Sequence, residues 1–389
     1  MSLLPAEARL FLLAIKPREP SDDEAIARLL ASPLDWRSLA AIAERERLVS
    51  VMWRRMRDHA HAMPRDLAMA VERRTAVLDF RMSATSSLLD RLVVRLAGVG
   101  VPSLLLKGAA LARSVYPSFV DRPMNDLDIL VPADLALDAW KVVHGDGWTL
   151  ETNDDGEFHA GHHHMRPLVD PSGAGIVLEL HRSIMPMPGP FVLDDIGVWG
   201  HARRIRVGTS HAWVPTAEHQ LLHLSVHFAW SHSLDSGFAR SVRDAATLAT
   251  ESAIDWNAFV TLAAEARAST CAYWTLALSR SLLDAPIPDH TLARLRPRQP
   301  LAVTRALERA YIASGLLGLS PSVSLARQLW SAGMHPARSG HRRHRPWDST
   351  ARLSRILRTD SRPRIAERIR HHVRHAGDWI RFARLVGGP

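Results

Sequence analysis

A chain of 389 residues is longer than one ordinary domain, and its apolar fraction of 47% is typical of a globular protein that buries a sizeable core. Cys271 is the only cysteine, which excludes an intrachain disulfide and favours a reducing, cytoplasmic setting. The longest early apolar stretch, Leu10 to Ile15, is too short for a signal sequence or a membrane span, so we expect a soluble protein.

Positive charge is concentrated at one end of the chain. Residues 338–389 carry 14 arginines and four acidic residues, so this segment has a net charge of +10 against +9 for the whole protein. Any surface for nucleic acid or for an acidic partner is therefore restricted to the C-terminal segment. No RNA-binding motif accompanies these arginines, and nucleic acid is not a favoured partner.

Apolar residues recur at helical spacing through residues 22–97, as in Leu88, Leu92 and Leu96. Gly98 and Gly100 interrupt this pattern. The sequence therefore predicts a helical N-terminal cap over residues 1–100.

Residues 101–215 combine short strand-like runs with short helical patterns. In chain order they predict a strand at 102–106, a helix from 108 to about 116, a strand at 126–131, a helix near 133–144, a strand at 176–181 and a hairpin over 201–214. A helix that begins directly after a strand presents unpaired amides to an anion, and Lys107 stands at that point. We predict an α+β fold in which a small mixed β-sheet core is flanked by N-terminal and C-terminal helical regions.

Helical spacing returns after Pro215 and predicts a helical domain over residues 216–320. Residues 321–389 are predicted to form a basic connector, over 321–346, and a C-terminal helix at 364–385 whose apolar positions include Ile380. A basic amphipathic helix of this kind can lie on an acidic membrane surface, but packing of its apolar face within the protein is favoured.

Two aspartates share one face of a predicted strand in the core. In Asp126-Leu127-Asp128 the two carboxylates lie two positions apart and project together, while Leu127 faces the other way. Neighbouring carboxylates repel each other unless a cation compensates both. Mg²⁺ is the natural cation, because it prefers oxygen and is usually held by one or two carboxylates and substrate phosphates. A turn or helix cap at the strand start is the alternative explanation for the pair.

A second acidic strand repeats this pattern. Glu179 and His181 alternate with leucines, so the two polar side chains share one face of the predicted strand. If this strand neighbours the one with the two aspartates, Glu179 can complete a site for a pair of metal ions. Glu179 could instead be an edge residue that is paired with Arg182.

Three segments carry a resemblance to a known family: LLLKGAAL at 104–111, RPMNDLDILV at 122–131 and LELHR at 178–182. They resemble the uncharacterised bacterial nucleotidyltransferase-like family of the DNA polymerase beta superfamily. Two helical segments extend the resemblance over residues 30–250. One precedes Lys107-Gly108, which we call the Lys-Gly turn, and the other is a downstream helix with His223 and His227. The implied fold is a nucleotidyltransferase core with a small mixed sheet.

The resemblance also implies roles for individual residues. It implies that Asp126, Asp128 and Glu179 are the catalytic residues and hold two Mg²⁺ ions, with Mn²⁺ as an alternative. Nucleotide binding falls to Lys107, Gly108, Arg122, His181 and Asp244.

Several of these residues have a second explanation. The Lys107-Gly108 pair could be an ordinary strand-to-helix turn. Arg122 could either bind phosphate or neutralise Asp126, and Asp244 could either reach the nucleotide or form a buried ion pair.

The implied reaction is transfer of a nucleoside monophosphate from an NTP, such as ATP, to a hydroxyl or similar acceptor on a small molecule, peptide or protein. Because members of the family occur beside genes for modified peptide natural products, the resemblance suggests natural product biosynthesis with a peptide or protein acceptor. The alternatives are a non-catalytic nucleotide-binding or regulatory protein and a kinase-like phosphotransferase.

The chain departs from the wider superfamily in three respects. Lys107-Gly108 replaces the Gly-Ser or Gly-Gly turn that usually holds the triphosphate, and the interval from Gly108 to Asp126 is longer than usual. The third carboxylate is usually aspartate, whereas Glu179 is one methylene longer.

Histidines crowd the polar stretch before the second acidic strand, at positions 159, 162, 163 and 164. We do not favour a zinc site there, because the adjacent His163 and His164 would point in opposite directions from an extended segment. His223 and His227 share a helix face at i,i+4 spacing, for which a packed helix contact is favoured over a ligand pair.

Overall fold

The computed structural model describes residues 4–17, 21–151, 162–185, 190–193, 195–319, 323–334 and 376–387. The chain divides into two compact units, residues 1–296 and residues 297–389. This boundary falls inside the predicted helical domain at 216–320, at a point where Pro297 and Pro300 interrupt the helical pattern. None of the helices in the described ranges combines the length and the apolarity that a membrane span requires.

Five helices precede the sheet. They are α1 (Ala6–Ile15), α2 (Ser21–Leu30), α3 (Trp36–Arg45), α4 (Val49–Met56) and α5 (Arg65–Gly98), with a short 3₁₀ helix (Arg57–Ala62) before the last. Asp35 begins α3, because its carboxylate accepts hydrogen bonds from the amides of Arg37 and Ser38.

Helix α5 joins the N-terminal helices to the core of the sheet. Its second half contributes Leu89, Val93 and Leu96 to the same buried apolar cluster as Leu127 and Ile129, which lie on the strand with the two aspartates. The spacing of these leucines and valines at three and four residues gives α5 one apolar face, which the sheet covers. The apolar core therefore continues across residue 100, where the sequence predicts the end of the helical cap.

The sheet of the first unit has seven strands. They are β1 (Leu104–Leu105), β2 (Asp126–Leu130), β3 (Thr149–Leu150), β4 (Leu168–Val169), β5 (Val177–His181), β6 (Arg203–Val207) and β7 (Ser210–Val214). Their order is β3-β4-β5-β2-β1-β7-β6. Strand β2 pairs in parallel with β5 and antiparallel with β1, and β1 pairs in parallel with β7. The mixed sheet with its many helices confirms the predicted α+β class.

Helices follow most strands of the first unit. They are α6 (Lys107–Ser114), α7 (Ala136–Gly145), α8 (Asp195–His201), α9 (Ala217–Val226), α10 (Phe238–Glu251), α11 (Trp256–Glu265), α12 (Ser269–Leu283) and α13 (Asp289–Leu295). A 3₁₀ turn (Phe119–Asp121) precedes β2, and a π-helical turn (His227–Ser231) continues α9.

The second unit is helical. It contains α14 (Leu301–Tyr311) with a π-helical turn (Ile312–Leu316), α15 (Val323–Met334) and α16 (Ala376–Gly387). Helix α15 lies in the segment predicted as a connector. It forms because Leu325 and Leu329, one helical turn apart, pack against a small core that includes Phe382.

The last helix differs from the prediction in its buried face. Residues 376–387 are helical, and the predicted residues 364–375 lie outside the described ranges. Ile380 is 54% exposed, whereas Phe382 is buried with Leu385 and Val386 beside it. The larger apolar area of this second face explains why it is the one that packs.

We expect Leu89→Ala to lower the free energy of unfolding of the first unit by about 2–5 kcal/mol, because the side chain is fully buried between α5 and the sheet. Phe80→Ala on the same helix is the matched control. Its ring is 78% exposed, so the free energy of unfolding should change by about 0.5 kcal/mol or less. Urea denaturation of both variants measures the difference, and equal losses would contradict the shared core.

Candidate active site

Parallel pairing of β2 with β5 places four polar side chains on one face of the sheet. Asp128 lies opposite Glu179 in the register, and Leu130 lies opposite His181. Side chains two positions apart share a face, so Asp126 projects to the same side as these residues. The intervening leucines and isoleucine are buried in the apolar core on the other side.

Lys107 lies against the paired carboxylates. Its Nζ donates to Asp128 Oδ1 at 2.6 Å and lies 3.8 Å from Glu179 Oε2. On the other side, His181 Nε2 lies 3.0 Å from Asp128 Oδ1 and 3.6 Å from Glu179 Oε2. Two cationic or hydrogen-bonding groups therefore compensate the charge of this buried pair.

These contacts govern the protonation of the cluster. Burial alone would lower the pKa of Lys107 and of His181, but the carboxylates of Asp128 and Glu179 raise both above their usual values. Burial alone would raise the pKa of both acids, yet the Lys107 ammonium and the His181 ring hold the pKa of Asp128 and that of Glu179 below their usual values. At neutral pH the two acids are thus negatively charged.

Asp126 has a different environment. It is exposed at the start of β2 and forms no hydrogen bond or ion pair with any residue in the described ranges. Desolvation by the surrounding protein and repulsion from Asp128 raise the pKa of Asp126. We call its carboxylate open, because no described residue forms a hydrogen bond or an ion pair with it.

The turn from β1 into α6 brings Lys107 to the carboxylates. Lys107 adopts φ +45°, a left-handed conformation that costs about 1–2 kcal/mol for a residue with a side chain. Gly108 follows at a close approach, since a Cβ there would lie 3.3 Å from Met124 Sδ and 3.5 Å from Arg122 Nη1. The geometry explains why a glycine stands at this position.

A cleft opens beside this cluster. Its lining includes residues of the Lys-Gly turn, β2, α9, the π-helical turn and α10. Among them are Lys107, Gly108, Arg122, Asp126, Asp128, His223, His227, His232, Arg240 and Asp244.

Arg122 and Asp244 form a buried ion pair at the cleft. Arg122 Nε donates to both carboxylate oxygens of Asp244, at 2.7 and 2.9 Å, and Tyr116 adds its hydroxyl at 2.8 Å. Of the two explanations left open for Asp244, the structure shows the ion pair. Arg122 is paired with Asp244 and not with Asp126, and a nucleotide contact by either residue stays a prediction.

The sequence interpretation missed Arg240. This residue of α10 lines the cleft, and its charge acts on Asp126. Burial and the neighbouring charge of Arg122 lower the pKa of Arg240. Arg240 has no hydrogen-bond or ion-pair partner within the part of the chain that the structure describes. Its i,i+4 spacing to Asp244 was the available signal, because it places both residues on one face of a helix.

The cleft also contains histidines for which a simple packing role was favoured. His223 and His227 both line it, and the ring centroids of His227 and His232 lie 4.4 Å apart. Burial, followed by the charge of Lys107, lowers the pKa of His223 to about 3. At neutral pH this ring is therefore uncharged and able to accept or donate one hydrogen bond at each nitrogen.

The histidines at 162–164 are also arranged differently from the expectation. The segment bends, so the rings of His163 and His164 lie together, with centroids 4.9 Å apart, and do not point in opposite directions. His159 lies outside the described residues.

The family model described as an uncharacterised nucleotidyltransferase matches residues 32–284, about two thirds of the chain. The chain belongs to this family. The match covers the whole sheet, the cleft and helices α9 to α12, so it confirms the resemblance and extends it beyond residue 250. No curated protein and no solved structure matches the chain.

The donor atoms of this candidate site fit a divalent metal ion. Asp128, Glu179 and His181 each offer a ligand atom within 4.8 Å of the others, and Asp126 adds an open carboxylate two positions along β2. Such oxygen-rich groups suit Mg²⁺ or Mn²⁺. His181, and not Asp126, is thus the third member of the close group, and metal binding by Asp126 stays a prediction.

We expect Arg122→Met to lower the free energy of unfolding by about 3–5 kcal/mol, because it leaves the carboxylate of Asp244 buried and uncompensated. Urea denaturation measures the loss. The control is Arg95→Met, which removes an ion pair to Asp146 at a surface where both side chains are substantially exposed, so it should change stability little. Equal effects of the two substitutions would show that the buried pair does not stabilise the fold.

Proposed function

We propose that this protein transfers a nucleoside monophosphate from an NTP to a hydroxyl or similar acceptor in a metal-dependent reaction. The observation that carries the proposal is the shared face of β2 and β5, on which Asp126, Asp128 and Glu179 lie beside a cleft. Family membership supports the general reaction, nucleotide transfer. The metal ion, the acceptor and the residue roles are parts of the proposal.

Asp126 and Asp128 would hold Mg²⁺ or Mn²⁺ in this reaction, and Glu179 would hold a second ion with Asp128. When bound, the ions would neutralise charge on the phosphates and polarise the phosphoryl group. His181 keeps Asp128 in place through the 3.0 Å contact of its Nε2.

Cationic groups at the cleft would bind the triphosphate. The ammonium of Lys107 and the first amides of α6 lie at the same end of the cleft, where an anion finds both charge and hydrogen-bond donors. Arg240 also lines the cleft and has no acidic partner among the described residues. Lys107, the first amides of α6 and Arg240 would thus stabilise the charge that develops on the leaving pyrophosphate.

Nucleotide binding without turnover is a second candidate, and one observation favours it. Asp128 is engaged by both Lys107 and His181, which are internal partners. If these contacts persist when NTP is bound, Asp128 would not be available as a metal ligand. Such a protein would serve as a nucleotide-dependent regulator.

The acceptor is proposed from the resemblance alone. A peptide or protein acceptor in natural product biosynthesis follows from it. Acceptor screening with NTP labelled at the α-phosphate tests this proposal, and a parallel screen with label at the γ-phosphate tests kinase-like transfer. Label that arrives only from the γ-position would replace nucleotidyl transfer by phosphoryl transfer.

We expect Asp126→Asn to reduce Mg²⁺-dependent binding of NTP and to slow any transfer at least about 100-fold, because it removes the open carboxylate from the metal site. Calorimetric titration with NTP, with and without Mg²⁺, measures the binding. Asp138→Asn on α7 is the control, since its side chain is 71% exposed and outside the cleft. Unchanged Mg²⁺-dependent binding in Asp126→Asn would contradict the proposed role.

Arg240→Met should weaken NTP binding about 10- to 100-fold, the effect of losing one hydrogen bond between two charged groups. Arg206→Met, on the exposed side of β6, should leave the affinity unchanged. The same calorimetric titration compares the two variants. If both bind NTP with the affinity of the unmodified chain, Arg240 does not contact the triphosphate.

A further inference from the structure

Three consecutive histidines lie at the end of β5, next to the carboxylate site but outside the cleft lining. Their backbone is held by the strand. His163 O accepts from the amides of Arg182 and Ser183 at 2.9 and 3.2 Å, and Met165 N donates to Leu180 O at 2.7 Å. His164 also forms an isolated antiparallel bridge with His181. The segment is therefore positioned by the sheet and is not a free loop.

The three imidazole rings converge. The ring centroid of His162 lies 4.4 Å from that of His163 and 4.1 Å from that of His164. The ring centroids of His163 and His164 are 4.9 Å apart. Each ring offers a nitrogen within 4.8 Å of a nitrogen of the other two. Metal–nitrogen bonds of about 2.0–2.1 Å would draw these nitrogens closer together by rotation of the rings.

One hydrogen bond of the cluster is of the kind that metal-binding imidazoles make. His164 Nδ1 donates to the carbonyl oxygen of Met165 at 2.7 Å, which fixes the tautomer and leaves Nε2 with a lone pair. His163 Nδ1 is buried and has no hydrogen-bond partner among the described residues. A buried polar nitrogen of this kind requires an explanation, and an ion is one that also accounts for the convergence of the rings.

We propose that His162, His163 and His164 bind one first-row transition-metal ion of the Zn²⁺ class. Imidazole nitrogen suits Zn²⁺, Cu²⁺, Ni²⁺ or Co²⁺ and is a poor ligand for Mg²⁺. Three protein ligands leave one tetrahedral position open, so the ion can accept water or a substrate group.

This site is separate in chemistry from the carboxylates but adjacent to them. The ring centroid of His163 lies 5.2 Å from that of His181, and His181 contacts both Asp128 and Glu179. The nitrogen-rich site would thus add a second metal chemistry beside the oxygen-rich one. Its existence does not depend on the proposed nucleotidyl transfer.

The test is metal titration of the full chain, without a polyhistidine tag and after chelator treatment. We expect one equivalent of Zn²⁺ by elemental analysis, retained in a large excess of Mg²⁺. Co²⁺ should occupy the same site and give the visible absorption of a low-symmetry, nitrogen-ligated ion. A chain that retains no Zn²⁺ and binds no Co²⁺ would overturn the proposal.

Variants locate the ion. His163→Ala combined with His164→Ala should weaken Co²⁺ binding at least about 100-fold, because it removes two of three ligands. His59→Ala combined with His61→Ala is the matched control, since it removes two neighbouring histidines from the 3₁₀ helix after α4. Equal losses in both double variants would show non-specific binding and overturn the site.

Two further results distinguish this site from the carboxylates and keep the test decisive if a histidine variant misfolds. Loss of the tightly bound ion in Glu179→Gln would place it with Asp128 and His181 and overturn the proposal. Pulsed EPR of the unmodified chain with Cu²⁺ counts the coordinated imidazoles. Three are expected at the histidine cluster, whereas a single one would assign the ion to His181.

Discussion

Parallel pairing of β2 with β5 is the constraint on which the rest of the site depends. It sets Asp128 directly opposite Glu179 inside the protein, where two negative charges are tolerated only with compensation. Lys107 and His181 provide that compensation from opposite sides. The left-handed backbone of Lys107 is consistent with this role, because the ion pair can offset a strain of about 1–2 kcal/mol.

The cleft combines residues that are far apart in the chain. Helix α10 supplies Arg240 and Asp244, which are four residues apart on one face and both line the cleft. Asp244 holds Arg122 beside Gly108, so a buried ion pair packs against the Lys-Gly turn. Arg240 and Asp126 line the same cleft. The helical region after the sheet therefore contributes side chains to the cleft.

Strand β5 borders two groups of different ligand chemistry. Glu179, with Asp128 on the neighbouring strand, offers hard oxygen donors, whereas the histidine segment held against the end of β5 offers nitrogen. His181 lies between them and contacts both groups. Because Mg²⁺ and Zn²⁺ differ in the donors that they prefer, the two groups beside β5 suit different ions.

The sequence by itself determined the family, the α+β class and the alternation that puts Asp126, Asp128 and Glu179 on one face, since these follow from local periodicity and motif. Tertiary structure decided which charges meet. Arg122 pairs with Asp244, 122 positions away, and the charge of Arg240 acts on Asp126 in the same cleft. Periodicity reports which face of an element a residue occupies, but ion pairs depend on how elements pack in space, and that packing is not encoded in any local pattern.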